Sequence, residues 1–381
     1  MTLIRGDIVT PTGVVAGGAV AIDDRGRIDE IRAVAPLVPD IDAAGYLVVP
    51  GFVDMHVHGG GGADFMHGTV DAVRQVARTH ARFGTTALLA TTLTAAGEQI
   101  EAAIAAARDV ARDRHGDEAR VVGVHLEGPY ICPDRRGAQP LEYIRDPDVA
   151  ELARWIAVGD GVVRQITMAP ERPGAEDMVR MAAHAGIIVS VGHTDAVAAD
   201  VERAAGWGAS QATHIFNAMR GVHHREPGAV GGLLVLGSYT AEVIADGVHL
   251  HPLIVKLVLE AKGAEGVVLI TDAIEGAAMP DGEYALGGNR VIVRAGTASF
   301  ADGTLAGSVL TMNAAFQNAR RWADLTPVEA SRIASTNAAR RVGRADLGTL
   351  EPGKQADIAI LDPNTGAVHW TLVAGQVAYK R

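Results

Sequence analysis

Two histidines one residue apart, His56 and His58, follow an apolar stretch and precede a run of glycines. If residues 52–58 form a β-strand, side chains two positions apart point to the same face, so both imidazoles lie on one side. Two imidazoles at the end of a strand provide half of a typical metal site. Taken alone, the pair is equally compatible with two surface histidines, so the reading as a metal site requires further ligands elsewhere in the chain.

Further polar residues follow apolar stretches in the same way, and each is close to a turn-forming residue. They are His125 and Glu127 in HLEGPY, His193 in VGHTD, His214 and Asn217 in THIFNAM, His249 and His251 in ADGVHLH, and Asp272 in ITDAIEG. A single histidine there is more often a hydrogen-bonded structural residue, and a single acid is often a helix N-cap. Buried imidazoles and carboxylates that face one cavity are costly unless they are paired or bind a metal. We therefore predict a divalent-metal site, and the ligand types favour zinc or iron over magnesium.

These residues need a scaffold that brings several strand ends together. Eight apolar strands alternate with amphipathic helices such as Asp71–Phe83, Gln99–Arg114, Asp177–Ala185 and Pro252–Lys262. The predicted strands are Phe52–His58, Thr86–Thr91, Val121–Glu127, Gln165–Ala169, Ile187–His193, Gln211–Phe216, Thr240–Ala245 and Val267–Asp272. This alternation predicts a (β/α)8 barrel of the TIM type, an α/β fold whose chemistry lies at the carboxyl ends of the strands.

Both ends of the chain contain short strand patterns separated by turn residues, and neither end has enough apolar residues for its own core. We predict that residues 1–49 and 345–381 form one β-sandwich domain, and that residues 50–344 form the barrel, which is the catalytic domain. The net charge of −11 argues against general nucleic-acid binding. No apolar run is long enough for a membrane span, and residues 1–6 do not resemble a signal peptide. A single cysteine, Cys132, suits a reducing cytoplasm.

Several motifs together resemble the N-acetylglucosamine-6-phosphate deacetylases of the amidohydrolase superfamily. They are VDMHVHG, HLEGPY, VGHTDA, THIFNAM, HHREPG, ADGVHLHP, ITDAIEG and DGTLAGSVLTMN, and the resemblance covers essentially the whole chain. It implies a (β/α)8 barrel with a β-sandwich and a homodimer. It also implies a hydrolase that removes acetate from an N-acetylated amino-sugar phosphate, in amino-sugar recycling and cell-wall precursor supply.

The resemblance assigns the metal ligands by motif. Glu127, His193 and His214 correspond to the ligands of the principal metal, and His56 and His58 to those of a second metal that shares Glu127. Zinc is expected, with iron, cobalt or manganese also compatible, at one or two ions per subunit. Many related two-metal enzymes bridge their ions with a carboxylated lysine on strand four. This chain has no lysine before position 256, so Glu127 would have to bridge them.

The resemblance also assigns catalytic and substrate-binding roles. Asp272 corresponds to the general base, and His249 to the histidine that stabilises the developing oxyanion, although His249 could be a structural loop residue. Arg225 suits a phosphate and is expected to reach the neighbouring subunit's site, although it could be a solvated surface residue. The other substrate-binding residues are expected to be Gln139, Asn217, Ala218 and Leu305, with free backbone N–H groups at 217 and 218. Cys132 is expected to be a buried thiol or a residue of a loop that contacts substrate, and Asp54 is expected to orient the ligands of the first strand.

Two alternatives remain open from the sequence. One is another amidohydrolase that acts on a cyclic amide or an N-acyl amino acid; the absence of a lysine on strand four and the HHREPG loop argue against it. The other is a catalytically silent barrel that serves as a binding protein. Such a relative should have lost ligands, whereas every expected position is filled here.

Overall fold

The computed structural model describes residues 1–34 and 38–381. Its strands, in chain order, are β1 (Thr2–Thr10), β2 (Gly13–Ile22), β3 (Ile28–Arg32), β4 (Ile41–Pro50), β5 (Phe52–Val57), β6 (Gly59–Gly60), β7 (Ala63–Asp64), β8 (Thr85–Thr92), β9 (Arg120–Glu127), β10 (Val163–Met168), β11 (Ile188–Val191), β12 (Gln211–Ala212), β13 (Thr240–Ile244), β14 (Val267–Ile270), β15 (Gly282–Leu286), β16 (Asn289–Arg294), β17 (Thr297–Ser299), β18 (Ile358–Leu361), β19 (Val368–Val373) and β20 (Gln376–Lys380). Its helices are α1 (Val70–Ala81), α2 (Gly97–Arg112), α3 (Val149–Gly159), α4 (Ala175–His184), α5 (Ala198–Trp207), α6 (Gly228–Val235), α7 (Pro252–Lys262), α8 (Met312–Ala323), α9 (Pro327–Ser331) and α10 (Asn337–Arg341).

A parallel eight-stranded sheet forms the barrel, in the order β14-β13-β12-β11-β10-β9-β8-β5. The two end strands approach each other closely: Asp272 N donates to His56 O at 2.8 Å, and His58 N donates to Ala273 O at 2.9 Å. Each of the eight barrel strands lies within or overlaps a predicted strand, and the helices lie between them. The prediction of a (β/α)8 barrel is therefore confirmed.

The predicted sixth strand is longer than the observed one. β12 contains only Gln211 and Ala212, because the chain then turns, with positive φ at His214 (27°) and Phe216 (76°). Local capping also sets the helices: Thr69 caps α1 by accepting from Ala72 N, and His251 caps α7 by accepting from Leu253 N. The short β12 places His214 in a turn rather than in a strand.

The terminal strands form one seven-stranded sheet in the order β20-β19-β18-β4-β1-β2-β3, which takes four strands from the start of the chain and three from its end. Ile28 N donates to Lys354 O and Ala356 N to Gly26 O, each at 2.9 Å, so the sheet folds over until its distant parts meet. Its interior is apolar, and this core contains Ile4, Val20, Val48, Ile358 and Leu372. The opposite face packs against the barrel through Leu47, Val49, Ala359 and Leu361. A sandwich built from both termini is thus confirmed, while its predicted boundaries at residues 49 and 345 stay a prediction.

A three-stranded antiparallel sheet, β15–β17, lies between β14 and α8 and was not predicted. Its apolar side chains Leu286, Val291 and Val293 pack against Leu93 and Ile274 of the barrel's upper loops. This sheet therefore covers part of the carboxyl-terminal end of the barrel. None of the helices in residues 1–34 and 38–381 combines the length and apolar character that crossing a membrane requires.

Candidate active site

Six predicted site residues meet at the carboxyl ends of the barrel strands. His56 lies in β5 and His58 directly follows it, Glu127 ends β9, and His193, His214 and Asp272 each come two residues after their strands. All six side chains are buried, and none of these residues is more than 8% exposed. His193, His214 and Asp272 have positive φ angles of 48°, 27° and 52°. Such strained backbone is concentrated at functional sites, where it aims side chains that a regular strand could not aim.

The first group of candidate ligands is Glu127, His193 and His214. The Nε2 atoms of His193 and His214 lie 3.1 and 3.0 Å from Glu127 Oε1, and 3.1 Å from each other. Donor atoms bound tetrahedrally to zinc at about 2.0 Å are about 3.3 Å apart. The three atoms therefore have the spacing of donors that share one ion.

The second group is His56, His58 and Asp272. The two Nε2 atoms are 3.3 Å apart, and they lie 3.4 and 3.1 Å from Asp272 Oδ1. Glu127 joins the groups, because its Oε1 is 3.3 Å from His56 Nε2 and its Oε2 is 3.3 Å from His58 Nε2. One carboxylate thus touches both groups, as a bridging ligand would.

Hydrogen bonds on the far side of the rings fix three of the four imidazoles. His58 Nδ1 donates to Thr91 O at 3.3 Å, and His193 Nδ1 donates to Arg135 O at 2.9 Å. His56 Nδ1 donates to the Glu242 carboxylate at 3.1 Å. Because these acceptors carry no hydrogen, each ring has its proton on Nδ1 and can present a lone pair on Nε2 to the centre. This is the tautomer that an Nε2-bound metal requires.

The charges at the centre depend on one another. Burial alone would raise the pKa of Asp272 and of Glu127, but the surrounding histidines lower the pKa of Asp272 to about 2 and that of Glu127 well below its usual range. The same carboxylates overcome burial to raise the pKa of His58 to about 9 and that of His56 well above its usual range. Divalent cations compete with protons for such groups. The donor set, its spacing and its tautomers all fit one or two divalent metal ions.

A cavity of about 370 Å³ opens above this centre. Ten predicted site residues line it: His58, Glu127, Gln139, His193, His214, Asn217, Ala218, His249, Asp272 and Leu305. This size falls in the range of small-molecule sites. The cavity wall carries both the candidate ligands and the predicted base.

Gln139 contacts the centre directly. Its Nε2 donates to Glu127 Oε2 at 2.6 Å, and its Oε1 accepts from Thr94 N at 2.8 Å. The backbone donor of Thr94 fixes the orientation of the amide, so the NH₂ group must face Glu127. Gln139 therefore orients the carboxylate that joins the two groups while it also lines the cavity.

His249 is held by an acidic residue that the sequence analysis did not assign. Its Nδ1 donates to Asp246 Oδ2 at 2.6 Å, and both side chains are more than nine-tenths buried. Burial opposes protonation of His249, but the hydrogen bond and charge of Asp246 outweigh it and raise the pKa of this imidazole. His249 is therefore a buried, oriented and readily protonated donor at the cavity wall.

The predicted anion-binding residues are arranged differently from the expectation. The N–H of Asn217 is not free, because it donates to His214 O at 3.0 Å within the turn after β12. Ala218, at φ 52°, makes no backbone N–H bond among the described residues. Arg225 is exposed, contacts His224, and does not line the cavity in the part of the chain that the structure describes. Arg135, which was not predicted, does line it.

Four further residues of the motifs have structural positions. His125 is fully buried inside the barrel, where burial lowers its pKa to about 3 and its Nε2 contacts Thr167 Oγ1 at 2.7 Å. Cys132 is buried at 9% exposure beside the centre, and its N–H donates to His193 O at 2.8 Å. Asp54 accepts from His56 N and from Thr271, and so ties β5 to β14. His251 is exposed and caps α7.

Comparisons with known proteins agree with this geometry. The profile of the amidohydrolase family matches residues 47–378. The chain is 39% identical over 340 residues to the N-acetylglucosamine-6-phosphate deacetylase of Lysinibacillus sphaericus, covering 89% of this chain and 87% of that protein. It is 39% identical over 356 residues to the N-acetylgalactosamine-6-phosphate deacetylase of Escherichia coli O157:H7, covering 93% of each. One solved structure is an aspartate-to-alanine variant of N-acetyl-D-glucosamine-6-phosphate deacetylase from Mycobacterium smegmatis in complex with N-acetyl-D-glucosamine-6-phosphate. It matches with a TM-score of 0.94 at 36% identity, covering 100% of this chain and 99% of that one.

Proposed function

This chain belongs to the amidohydrolase family, and we propose that it hydrolyses the N-acetyl group of N-acetyl-D-glucosamine 6-phosphate to D-glucosamine 6-phosphate and acetate. The reaction would feed amino-sugar metabolism and the recycling of cell-wall precursors. The observation that carries this proposal is that Glu127 joins two groups of candidate ligands directly beneath a cavity with Asp272 on its wall. The second candidate is the galactosamine epimer, which the relative from Escherichia coli O157:H7 favours.

Five residues would hold the metal: Glu127, His193 and His214 at one position, and His56 and His58 at a second position that shares Glu127. Zinc suits this set of imidazoles and carboxylates. A divalent metal bound here would act as a Lewis acid, which polarises an amide carbonyl and activates water. Asp272 stands beside the second position and would contact its ion.

The proton path runs through Asp272. Its carboxylate is ionised at neutral pH, because its pKa is lowered to about 2, and so it can accept a proton from the attacking water. The water oxygen bonds to the carbonyl carbon as that proton moves to Asp272. The same proton then passes to the nitrogen as the C–N bond breaks, and acetate and the free amine leave. His249 would donate a hydrogen bond to the carbonyl oxygen while its negative charge develops.

The phosphate would be bound at the part of the cavity wall that Asn217 and Ala218 form. The free N–H of Ala218 would supply a neutral donor, and Arg225 of a second copy would supply charge. Asn217 would line the same wall, although its own N–H groups donate to His214 O and Ile215 O. The neighbouring helices α6 and α7 expose Val235 (83%), Leu253 (68%) and Leu257 (44%), and Val222 (59%) is exposed three residues before Arg225. Exposed apolar side chains of this kind mark interaction surfaces, and this supports a homodimer. A cytoplasmic location suits a chain with one cysteine.

Acetate release tests the reaction and separates it from the alternatives. The purified protein is assayed with N-acetylglucosamine 6-phosphate, its galactosamine epimer and unphosphorylated N-acetylglucosamine, for the wild type and for Asp272→Asn. We expect activity on a phosphorylated sugar, little on the unphosphorylated one, and near-complete loss in the variant with its metal content retained. Equal activity on both forms of the sugar would refute the phosphate site. Activity only on cyclic amides or N-acyl amino acids, or no bound metal, would favour the rival amidohydrolase or the silent barrel.

Mixed dimers test whether Arg225 acts across subunits. Arg225→Ala and Asp272→Asn homodimers are each expected to be inactive on the sugar phosphate. Random mixing after unfolding and refolding of both variants together would give heterodimers in which one site has both Asp272 and the partner's intact arginine. That site should restore about a quarter of the wild-type activity per subunit, as expected for a two-fold dimer. No recovery would place Arg225 in its own subunit's site, and an active Arg225→Ala homodimer would place it outside the reaction.

A further inference from the structure

Glu242 in β13 is a buried acidic residue to which the sequence alone assigned no role. Its side chain is 0% exposed and sits inside the barrel beneath the metal centre. It accepts four hydrogen bonds: from His56 Nδ1 at 3.1 Å, Gln165 Nε2 at 2.7 Å, Gln211 Nε2 at 2.9 Å and His214 N at 3.3 Å. A buried carboxylate is costly, and four donors are the compensation that keeps it ionised here.

Glu242 differs from the other acceptors that fix the imidazoles. Thr91 and Arg135 each offer a neutral backbone carbonyl, whereas Glu242 offers a charge. Among the described residues, His56 is its only ion-pair partner within 4 Å. A carboxylate that accepts from the far nitrogen of an imidazole fixes its tautomer and makes the near nitrogen a stronger metal ligand. The two glutamines hold the carboxylate in place, since both donate to the same Oε1.

Resting on the metal positions assigned above, we propose that Glu242 is the positioning residue for His56, and that it sets how tightly the second group, His56, His58 and Asp272, retains its ion. The first group depends on it far less. Of the first group's side chains, His193 is fixed by Arg135 O and Glu127 by Gln139. Glu242 contacts His214 only by accepting a hydrogen bond of 3.3 Å from the backbone N–H of His214.

Glu242→Gln isolates the charge while it keeps the length of the side chain. One of its two terminal atoms becomes an NH₂ group, which cannot accept from His56 Nδ1 or from the two glutamines. If the NH₂ faces His56, the ring must move its proton to Nε2 and loses its metal-binding lone pair. If the amide oxygen faces His56, a neutral acceptor replaces the charged one and the ligand is weaker. Either arrangement weakens the second group.

The test is a metal titration that does not involve turnover. Wild-type protein is stripped with a chelator and titrated with Zn²⁺ by calorimetry and with Co²⁺ by visible absorption. We expect two equivalents in the wild type. In Glu242→Gln the dissociation constant of the second equivalent should rise about 10- to 100-fold, which is the usual cost of losing such a partner, with the first equivalent unchanged. The Co²⁺ spectrum should then lack the component that the second equivalent contributes.

Glu118→Gln is the matched control. Glu118 is also 0% exposed and ion-paired, with Arg74 and Arg78, and it does not line the cavity. This variant should be less stable and still bind both equivalents. If Glu242→Gln does not fold, Glu242→Asp serves instead: it keeps the charge but draws the carboxylate back by about 1.5 Å. It should weaken the second equivalent selectively.

Three results would overturn this inference. The first is that the Glu242 variants bind both metal equivalents with wild-type affinity. The second is that the variants lose affinity for both equivalents equally, and the third is that the wild type binds only one ion. The proposed function is tested separately, because acetate release is not measured here. A wild type that binds two ions but releases no acetate would refute the function and leave the role of Glu242 standing.

Discussion

Asp246→Asn tests how the buried pair Asp246–His249 serves the reaction. The aspartate makes two kinds of contact: its Oδ1 accepts from Val248 N and His249 N at 2.8 Å each, and its Oδ2 accepts from His249 Nδ1 at 2.6 Å. An asparagine keeps one oxygen, which can preserve the turn. The substitution therefore removes the charge behind His249 with little change in the backbone.

The expected loss follows from this hydrogen bond. A hydrogen bond to a charged group contributes about 1.5–3 kcal/mol, which corresponds to a fall of about 10- to 100-fold in kcat/KM if it acts in the transition state. The pH dependence has a definite sign. In the wild type, Asp246 overcomes burial and raises the pKa of His249, so the imidazole stays protonated as the pH rises. In the variant burial remains and the charge is gone, so the pKa falls and protonation is lost at a lower pH.

The assay is the initial rate of acetate release at about pH 5.5 and at about pH 8, which lie on either side of an ordinary histidine pKa. The deficit of the variant should be larger at the higher pH, with kcat affected more than KM. Asp362→Asn is the control, because Asp362 Oδ1 also accepts from two backbone N–H groups, those of Asn364 and Thr365, in an exposed turn. A deficit independent of pH would refute the argument, since a purely structural role of Asp246 would reduce activity equally at both values.

Three other substitutions test the packing at the site and an ion pair away from it. Gly307→Ala places a methyl group 2.6 Å from Ile274 Cγ2 and 2.9 Å from Asp272 O, at φ +57°, so the substitution should displace Asp272 and lower kcat. Gly303→Ala is the control: at φ +88° its methyl group meets nothing within 4 Å, so the substitution should lower stability without changing kcat. Equal kcat in the two variants would contradict this. Arg74→Met removes the cation 2.8 Å from buried Glu118, so the free energy of unfolding in urea should fall by about 3 kcal/mol with KM unchanged. An unchanged urea midpoint would show that Arg78 alone compensates Glu118.

The barrel could be predicted because its signal is local. Each strand is a short apolar stretch, and its last polar residue marks the carboxyl end. Glu127 ends β9 as the pattern required. The tight turns after β11 and β12 follow from tertiary contacts instead. There the chain adopts positive φ at His193 and His214, a conformation that is uncommon for any non-glycine residue and that the local sequence does not specify.

Glu242 and Asp246 were not predicted as site residues, and the reason is a different one. Glu242 is the one acidic residue of the five-residue strand TAEVI, and from the sequence alone it would be predicted to lie exposed in an edge strand. Its structural role depends on hydrogen bonds from Gln165, Gln211 and His56, which lie in other strands. Asp246 is visible in ADGVHLH, but its pairing with His249 depends on the turn that brings residues three apart together. Contacts between residues of distant strands cannot be predicted from the spacing within any one motif.

One loop, residues 128–139 after β9, couples the metal centre to the cavity. It contacts both sides of His193, because Cys132 N donates to His193 O and Arg135 O accepts from its ring. Its last residue, Gln139, donates to Glu127, and Asp134, Arg135 and Gln139 all line the cavity. A shift of this loop therefore moves two candidate ligands and the substrate surface at once. Substitutions within it should change kcat and KM together, whereas Glu242, which touches only the ligand side, should act on metal affinity without altering the shape of the cavity.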